Sequence, residues 1–387
     1  MAAVAVADAP VLDAELAPLG GVSARRVLIL AGATAAMLVS VVLLAPAVAD
    51  LPDALARMAH GDARWLALAL GLEALSFLGH AILFRAVGLD ERGRIGLRAS
   101  IEITLAGHAA TRLLASAGAG GVVLTAWAMR RAGMDRATVA ARMTTFLVLL
   151  YSIYMAALVV GGAGLALGLL PGGGSFAITA IPAAFGAIVI AIALAAQRIR
   201  PGASRARRVL APLASGVRDA RRLVRSGNAG LLGALMWWAF DIAVLWACFR
   251  AFGASPAIAV LVVAYFVGTL ANTLPLPGGI GGVEGGMVGA LVAFGVEPGL
   301  ALIAVLAYRG FAFWLPILPG ALAYVTLRRT VASWAAEDAG VASGAWKASE
   351  GSSTTPISSA GCRRWQSRCR APSRSHGLTT RSSSLST

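Results

Sequence analysis

Apolar residues dominate this chain in blocks longer than a soluble core helix needs. Six stretches run approximately from Val27 to Val48, Trp65 to Val87, Ala140 to Leu165, Ser175 to Ala196, Ala229 to Phe252 and Leu300 to Val325. Each can cross about 30 Å of hydrocarbon, which takes roughly 20 helical residues. Two further apolar regions, Ile101 to Met129 and Pro256 to Val296, are interrupted by glycine, proline or charge. The pattern predicts an all-α, polytopic membrane protein. It has about six full spans plus two re-entrant or broken helical hairpins, with eight crossings as the upper limit.

Arginine placement orients these elements. Arg25 and Arg26 precede the first span and put the N-terminus inside, while the mildly acidic stretch from Asp50 to Arg64 sits outside. Between Gln197 and Asn228 lie Arg198, Arg200, Arg205, Arg207, Arg208, Arg218, Arg221, Arg222 and Arg225 against Asp219 alone, which reads as a cytoplasmic loop. Arg92, Arg94 and Arg98 stand before the first interrupted region, and Arg130, Arg131, Arg136 and Arg142 after it. Both flanks therefore belong inside. Too few residues lie between them for two crossings, so a hairpin entering from the cytoplasm is expected, turning near "LLASAGAGG" from Leu113 to Gly121.

The second interrupted region follows a span ending outside, near Arg250 to Ser255, and Arg328 and Arg329 call the last span back inward. A hairpin entering from outside, with its turn at "TLPLPGGIGG", satisfies this, and so do two short crossings. Span, span, hairpin, span thus occurs twice in opposite senses. That is the pattern of an inverted repeat, in which a site forms from broken helices where the repeats meet. The expected location is the plasma membrane, with both termini cytoplasmic.

Composition agrees with this picture and narrows it. Of 387 residues, 58% are hydrophobic and 13% charged, about half the charged share of a soluble domain. Lys and Arg number 33 against 18 Asp and Glu. In a soluble protein such an excess points to nucleic acid. Here it points to anionic headgroups at the cytoplasmic face, and no nucleic-acid partner is expected. The three cysteines, Cys248, Cys362 and Cys369, have neither disulfide-framework nor zinc-ligand spacing, so no metal and no cofactor are expected. A cleavable export signal is not expected either, because the first apolar run has full bilayer length and no small-residue cleavage site close behind it. The chain divides into a cytoplasmic segment (1–24), a membrane domain (25–329) and a basic Ser/Arg-rich tail (330–387) expected to be disordered.

Candidate chemistry concentrates where the apolar pattern breaks. In "LPLPGGIGGVEGGMVGA", from Leu274 to Ala290, Pro275 and Pro277 remove backbone donors, and Gly278, Gly279, Gly281 and Gly282 let the chain turn. Irregular backbone at membrane depth persists only if buried in protein or facing a wet cavity. Small-xxx-small spacings such as Gly282/Gly286 are explained by helix packing. Glu284 is not. An ionised side chain at the bilayer centre costs about 2.5–3.5 kcal/mol, so it is paired or solvated and often functional.

Glu284 is expected to pair with Arg309, deep in the last span, either as the lining of a polar passage or as an ion pair fixing helix register. Arg112, beside "AGAGG" in the first hairpin, is its counterpart: guanidinium matches phosphate bidentately, and two arginines would flank one midplane cavity. Glu73, His80 and Asp241 are secondary candidates, with Glu73 and His80 sharing one helical face. Glu102 and His108 also lie in the first hairpin. Asp241, beside Trp237 and Trp238, also reads as a group near the membrane interface. His80 and His108 read more readily as satisfied core residues than as ligands.

The ordered set "LPLPGGIGGVEGGMVGALVAFGVEP", then "ALIAVLAYRGFAFWLPILPGALAYV", resembles the lysylphosphatidylglycerol synthase transmembrane region, a flippase-like membrane family. "AGHAATRLLASAGAGGVVLTAWAMRRAGMDRATVAARMTTFLVL" is similar to its first-half motif. The resemblance covers roughly Arg25 to Arg329. It implies movement between leaflets of an aminoacylated phospholipid or a polyprenyl-linked lipid, with Arg112, Pro277, Gly278, Gly279, Gly281, Glu284 and Arg309 at motif positions. A proline frequent at the family's first hairpin is replaced by Leu114, Ala115 and Ser116. The resemblance does not extend to the family's soluble aminoacyl-transfer domain, so lysyl-lipid synthesis by this chain alone is not expected.

A membrane lipid is accordingly the expected substrate, with a homo-oligomer or a separately encoded synthase left open as protein partner. Two other functions remain in view. A membrane-embedded lipid-modifying transferase subunit would use Glu284, Asp241 or His80 as acid or base, although no HExxH, Walker A or GxSxG pattern accompanies them. A scaffold for a separate synthase or glycosyltransferase would tolerate loss of these charges.

Overall fold

The computed structural model describes residues 60–88, 93–113, 119–196, 198, 205–271 and 281–351. The first span, the turn of the first hairpin apart from its ends, and Pro275, Pro277, Gly278 and Gly279 lie outside the described residues. No strand occurs among those described. The helices are α1 (Ala63–Gly88), α2 (Leu97–Leu113), α3 (Ala119–Arg131), α4 (Arg136–Ala166), α5 (Phe176–Ala196), α6 (Arg205–Arg225), α7 (Leu232–Ala251), α8 (Ile258–Leu270), α9 (Gly282–Ala293), α10 (Pro298–Arg309) and α11 (Ile317–Gly351). α1, α4, α5 and the helix that ends in α7 are each long and apolar enough to cross a membrane, as is the stretch from α10 into α11. The protein is therefore a multi-pass, all-α membrane protein.

The two interrupted regions are helical hairpins. α8 has 13 residues and α9 has 12, so each is about 20 Å long and short of the hydrocarbon thickness. Glycines bring the arms together. A Cβ on Gly121 would stand 2.6 Å from the Gly107 carbonyl oxygen, which closes α2 on α3, and one on Gly286 would stand 3.0 Å from the Gly268 Cα, which closes α9 on α8. Re-entry predicts that cysteines replacing Leu97 and Arg131 are labelled by a membrane-impermeant maleimide from one side only. Those replacing Ile258 and Ala293 are then labelled from the other side only. Labelling of the two arms of one hairpin from opposite sides would make that hairpin a pair of crossings.

α1 and α7 form the central pair and run antiparallel. The Asp62 N–H donates to the Ala251 carbonyl at one end (3.0 Å), and the Ser76 hydroxyl donates to the Trp237 carbonyl in the middle (2.9 Å). Between them Gly79 and Gly233 meet backbone to backbone: a Cβ on Gly233 would lie 2.3 Å from the Gly79 oxygen. Small residues let helices approach where lipid offers no hydrophobic drive between them. Leu245, Phe249, Leu261, Phe266 and Leu291 fill the core around this pair. Ile181, Ile188 and Ile192 of α5 and Leu318 and Leu322 of α11 stand exposed, as side chains facing acyl chains do.

Three expectations change. The arginine-rich stretch expected to be a loop folds as α6. Counting charge alone overlooked its apolar positions at three- and four-residue intervals, from which Ala214, Val217 and Ala220 are buried. The last span is not one continuous α-helix, because Gly310–Trp314 forms a π-helical turn directly after Arg309. The third concerns the start of the tail at residue 330. α11 continues through it to Gly351, with Val331 and Trp334 buried beside Leu327, and the part of the tail after 351 lies outside the described residues.

Candidate functional site

The charged residues of the apolar helices fall into two groups. The first is built on the π turn. A helical carbonyl normally accepts from the N–H four residues on, but the residue four beyond Ala312 is Pro316, which has none. The Ala312 oxygen instead accepts from Arg112 Nη2 at 2.6 Å. Arg112 Cζ lies over the Phe77 ring (5.9 Å to the centroid) and over the Phe313 ring (5.4 Å), and Arg309 Cζ lies 4.3 Å from that same Phe313 centroid. The two arginines expected to flank one place thus share one aromatic ring.

The Glu284–Arg309 pair forms: Arg309 Nε donates to Glu284 Oε1 at 2.6 Å, with both side chains largely buried. The second carboxylate oxygen accepts the Gly281 N–H at 2.8 Å and so caps α9. Gly281 has φ +82°, a left-handed conformation that glycine adopts without a Cβ penalty. Both oxygens of Glu284 are therefore engaged within the protein, one on a helix start and one on a cation. Gly278 and Gly279, carried over from the family motif, are outside the described residues.

Next to this lies a buried carboxyl pair. Glu73 on α1 and Asp241 on α7 are 4% and 6% exposed, and the antiparallel register that sets Ser76 against Trp237 turns the two carboxyls toward each other. Asp241 is thus buried in the protein interior. Its Oδ2 accepts from the Tyr265 hydroxyl of α8 and from the Tyr308 hydroxyl of α10 at 3.2 Å. Asp241 Oδ1, Glu73 Oε2 and Arg112 Nη1 are buried without a hydrogen-bond partner. Buried polar atoms are nearly always satisfied; the two carboxyls face each other, which leaves Arg112 Nη1 as the donor without an acceptor.

The second group is aromatic. His80 and His108 stack edge-on at 4.8 Å and pack with Trp237, Phe77 and Phe146, while His80 Nδ1 lies 3.4 Å from the Thr104 hydroxyl. They line a cavity of about 230 Å³ that also reaches Thr111, Thr125 and Arg142. His80 is therefore separated from the carboxyls despite sharing a helical face with Glu73. Glu102 is likewise distant in its contacts: it accepts from Arg98 at 3.1 Å and from Thr330 at 2.8 Å, joining α2 to α11.

A groove of about 370 Å³ opens beside Glu73, lined otherwise by apolar residues of α1, α2 and the start of α11, among them Phe77, Leu105, Leu315 and Pro319. Neither arginine lines it; both guanidinium groups are turned onto Phe313. The sequence reading missed Tyr265. Its one signal was a phenol in the middle of the largely apolar "IAVLVVAYFVGTL".

Among known proteins, residues 28–320 match the family model described as the lysylphosphatidylglycerol synthase TM region. Two proteins of Methanothermobacter thermautotrophicus described as UPF0104 membrane proteins are similar over shorter stretches. One is 35% identical over 97 residues, covering 25% of this chain and 28% of the relative. The other is 33% identical over 89 residues, covering 23% and 27%. The chain thus spans little more than a quarter of the length of each curated relative it matches.

Proposed function

This integral membrane protein belongs to the family of the lysylphosphatidylglycerol synthase transmembrane region, and from that premise we propose that it moves a phosphate-bearing lipid between leaflets. An aminoacylated phospholipid or a polyprenyl-linked lipid is the substrate class. The observation carrying this reading is Arg112: a half-buried arginine at the end of α2, fixed through Nη2 and with a buried Nη1 that has no hydrogen-bond partner. A planar, permanently charged donor held in this way suits a phosphate oxygen. The apolar groove that ends at Phe77 and Glu73 supplies room for a chain beside the headgroup, since Phe77 also lies under Arg112. Glu284 and Arg309 serve this site by holding the second hairpin and the π turn in place.

The test is leaflet exchange of fluorescent anionic, aminoacylated and isoprenoid-phosphate lipids in proteoliposomes. Exchange above protein-free vesicles is expected for at least one class, falling at least tenfold with Arg112→Gln. Removing a hydrogen bond to a charged group costs about 1.5–3 kcal/mol, and each 1.4 kcal/mol is a factor of ten. No exchange for any class would overturn the reading. Product formed from a labelled donor by the purified protein would favour a lipid-modifying transferase instead.

A further inference from the structure

Charge balance around Glu73 and Asp241 carries a second step. Three carboxyls, Glu73, Asp241 and Glu284, lie with two guanidiniums, Arg112 and Arg309, in one buried region. The segments 27–48, 114–118 and 272–280, outside the described residues, contain no Asp, Glu, His, Lys or Arg. Glu284 and Arg309 neutralise each other. That leaves two facing carboxyls for Arg112, and two adjacent carboxylates in a low-dielectric setting do not both stay ionised.

Among the described residues, these surroundings supply no further cation to offset the second negative charge. α8 presents the Tyr265 hydroxyl, and α10 presents the Tyr308 hydroxyl and Arg309, itself on Glu284 of α9. Cys248 is the nearby titratable group on α7. From α4, Tyr154 donates its hydroxyl to the Phe266 carbonyl, and Tyr151 stacks beside it. His80 and His108 are turned into their aromatic cluster with Trp237. One proton shared by Glu73 and Asp241 makes the region neutral.

Resting on the translocation reading above, we infer that the lipid anion and a proton move together, with Glu73 and Asp241 as the proton carriers. A phosphate that engages Arg112 takes over the charge that a carboxylate had balanced. The released carboxylate then binds a second proton, so each headgroup that enters brings one proton in and each that leaves gives one up. Protonated, the two carboxyls also present O–H donors where ionised they would repel the phosphate. Arg112 Nη1, which has no hydrogen-bond partner, and the facing Glu73 and Asp241 carboxyls are the places where those contacts form. Made together, Glu73→Gln and Asp241→Asn keep shape while removing the titration.

Two measurements test this. First, proteoliposomes are given a pH gradient and fluorescent phosphatidylglycerol, whose phosphodiester stays ionised throughout. The lipid is expected to accumulate in the leaflet on the alkaline side, about tenfold per pH unit at one proton per lipid. In the double variant Glu73→Gln/Asp241→Asn the distribution should ignore the gradient, whereas either single variant keeps one carboxyl able to take up the proton. Second, infrared spectra of purified protein at neutral pH should show a protonated-carboxyl C=O band that is lost or shifted in the same variants. Exchange that is indifferent to the gradient, or a spectrum without that band, overturns proton coupling and leaves translocation standing. Absence of exchange for every lipid, with the band present, overturns the translocation reading and the coupling with it, and leaves only the shared proton.

Discussion

Arg309→Gln is expected to destabilise the protein by about 3–5 kcal/mol, because it strands Glu284 as an unpaired buried charge. The pair is short, 2.6 Å, and its side chains are only 8% and 14% exposed, so water supplies little compensation. Glu284→Gln should cost less, since an amide oxygen can still accept the Gly281 N–H that caps α9. The double variant should lose less than the sum of the two, as for partners in one contact. Thermal unfolding in detergent measures all three. Strict additivity would mean that the two charges are independently solvated, and the role assigned to them in holding the second hairpin would be lost.

Gly233→Ala is the second large effect. The added methyl would stand 2.3 Å from the Gly79 oxygen and 2.7 Å from the Leu83 nitrogen. Both obstacles are backbone, so no side chain can rotate away, and α1 and α7 must separate. Overpacking typically costs about 1–3 kcal/mol, and a backbone clash at a helix crossing belongs at the top of that range or above it. Separation also parts Glu73 from Asp241. Loss of melting temperature together with loss of lipid exchange is therefore expected. Gly71→Ala on α1, where nothing lies within 4 Å, should leave both unchanged. Equal behaviour of the two variants would show that the Gly79–Gly233 approach is not structural.

The charged candidates were legible because each stands inside an apolar run where an ion is costly, and that cost depends on local sequence. The Glu284–Arg309 pair was within reach for the same reason, with two lone opposite charges on consecutive elements. The dual engagement of Glu284 could be seen only in part. Gly281 followed three residues later by glutamate hints at a capped helix start, but the glycines drew attention to packing instead. In α6 the dense arginines mask an apolar stripe at three- and four-residue intervals, and that stripe is what folds the segment as a helix.

From its sequence alone this protein is determined to be a helical membrane protein with two broken hairpins and a few costly interior charges. Hydropathy and the need to satisfy every backbone group in lipid are properties of single segments. Which charges meet was decided by tertiary structure. Glu73 faces Asp241 because two glycines, 154 positions apart, set the register of α1 on α7, and Arg112 reaches a carbonyl that Pro316 leaves without its helical donor. Apolar helices in lipid gain nothing from the hydrophobic effect by choosing one neighbour over another. Their pairing rests on close packing and interior polar contacts, and those exist only once the helices have met.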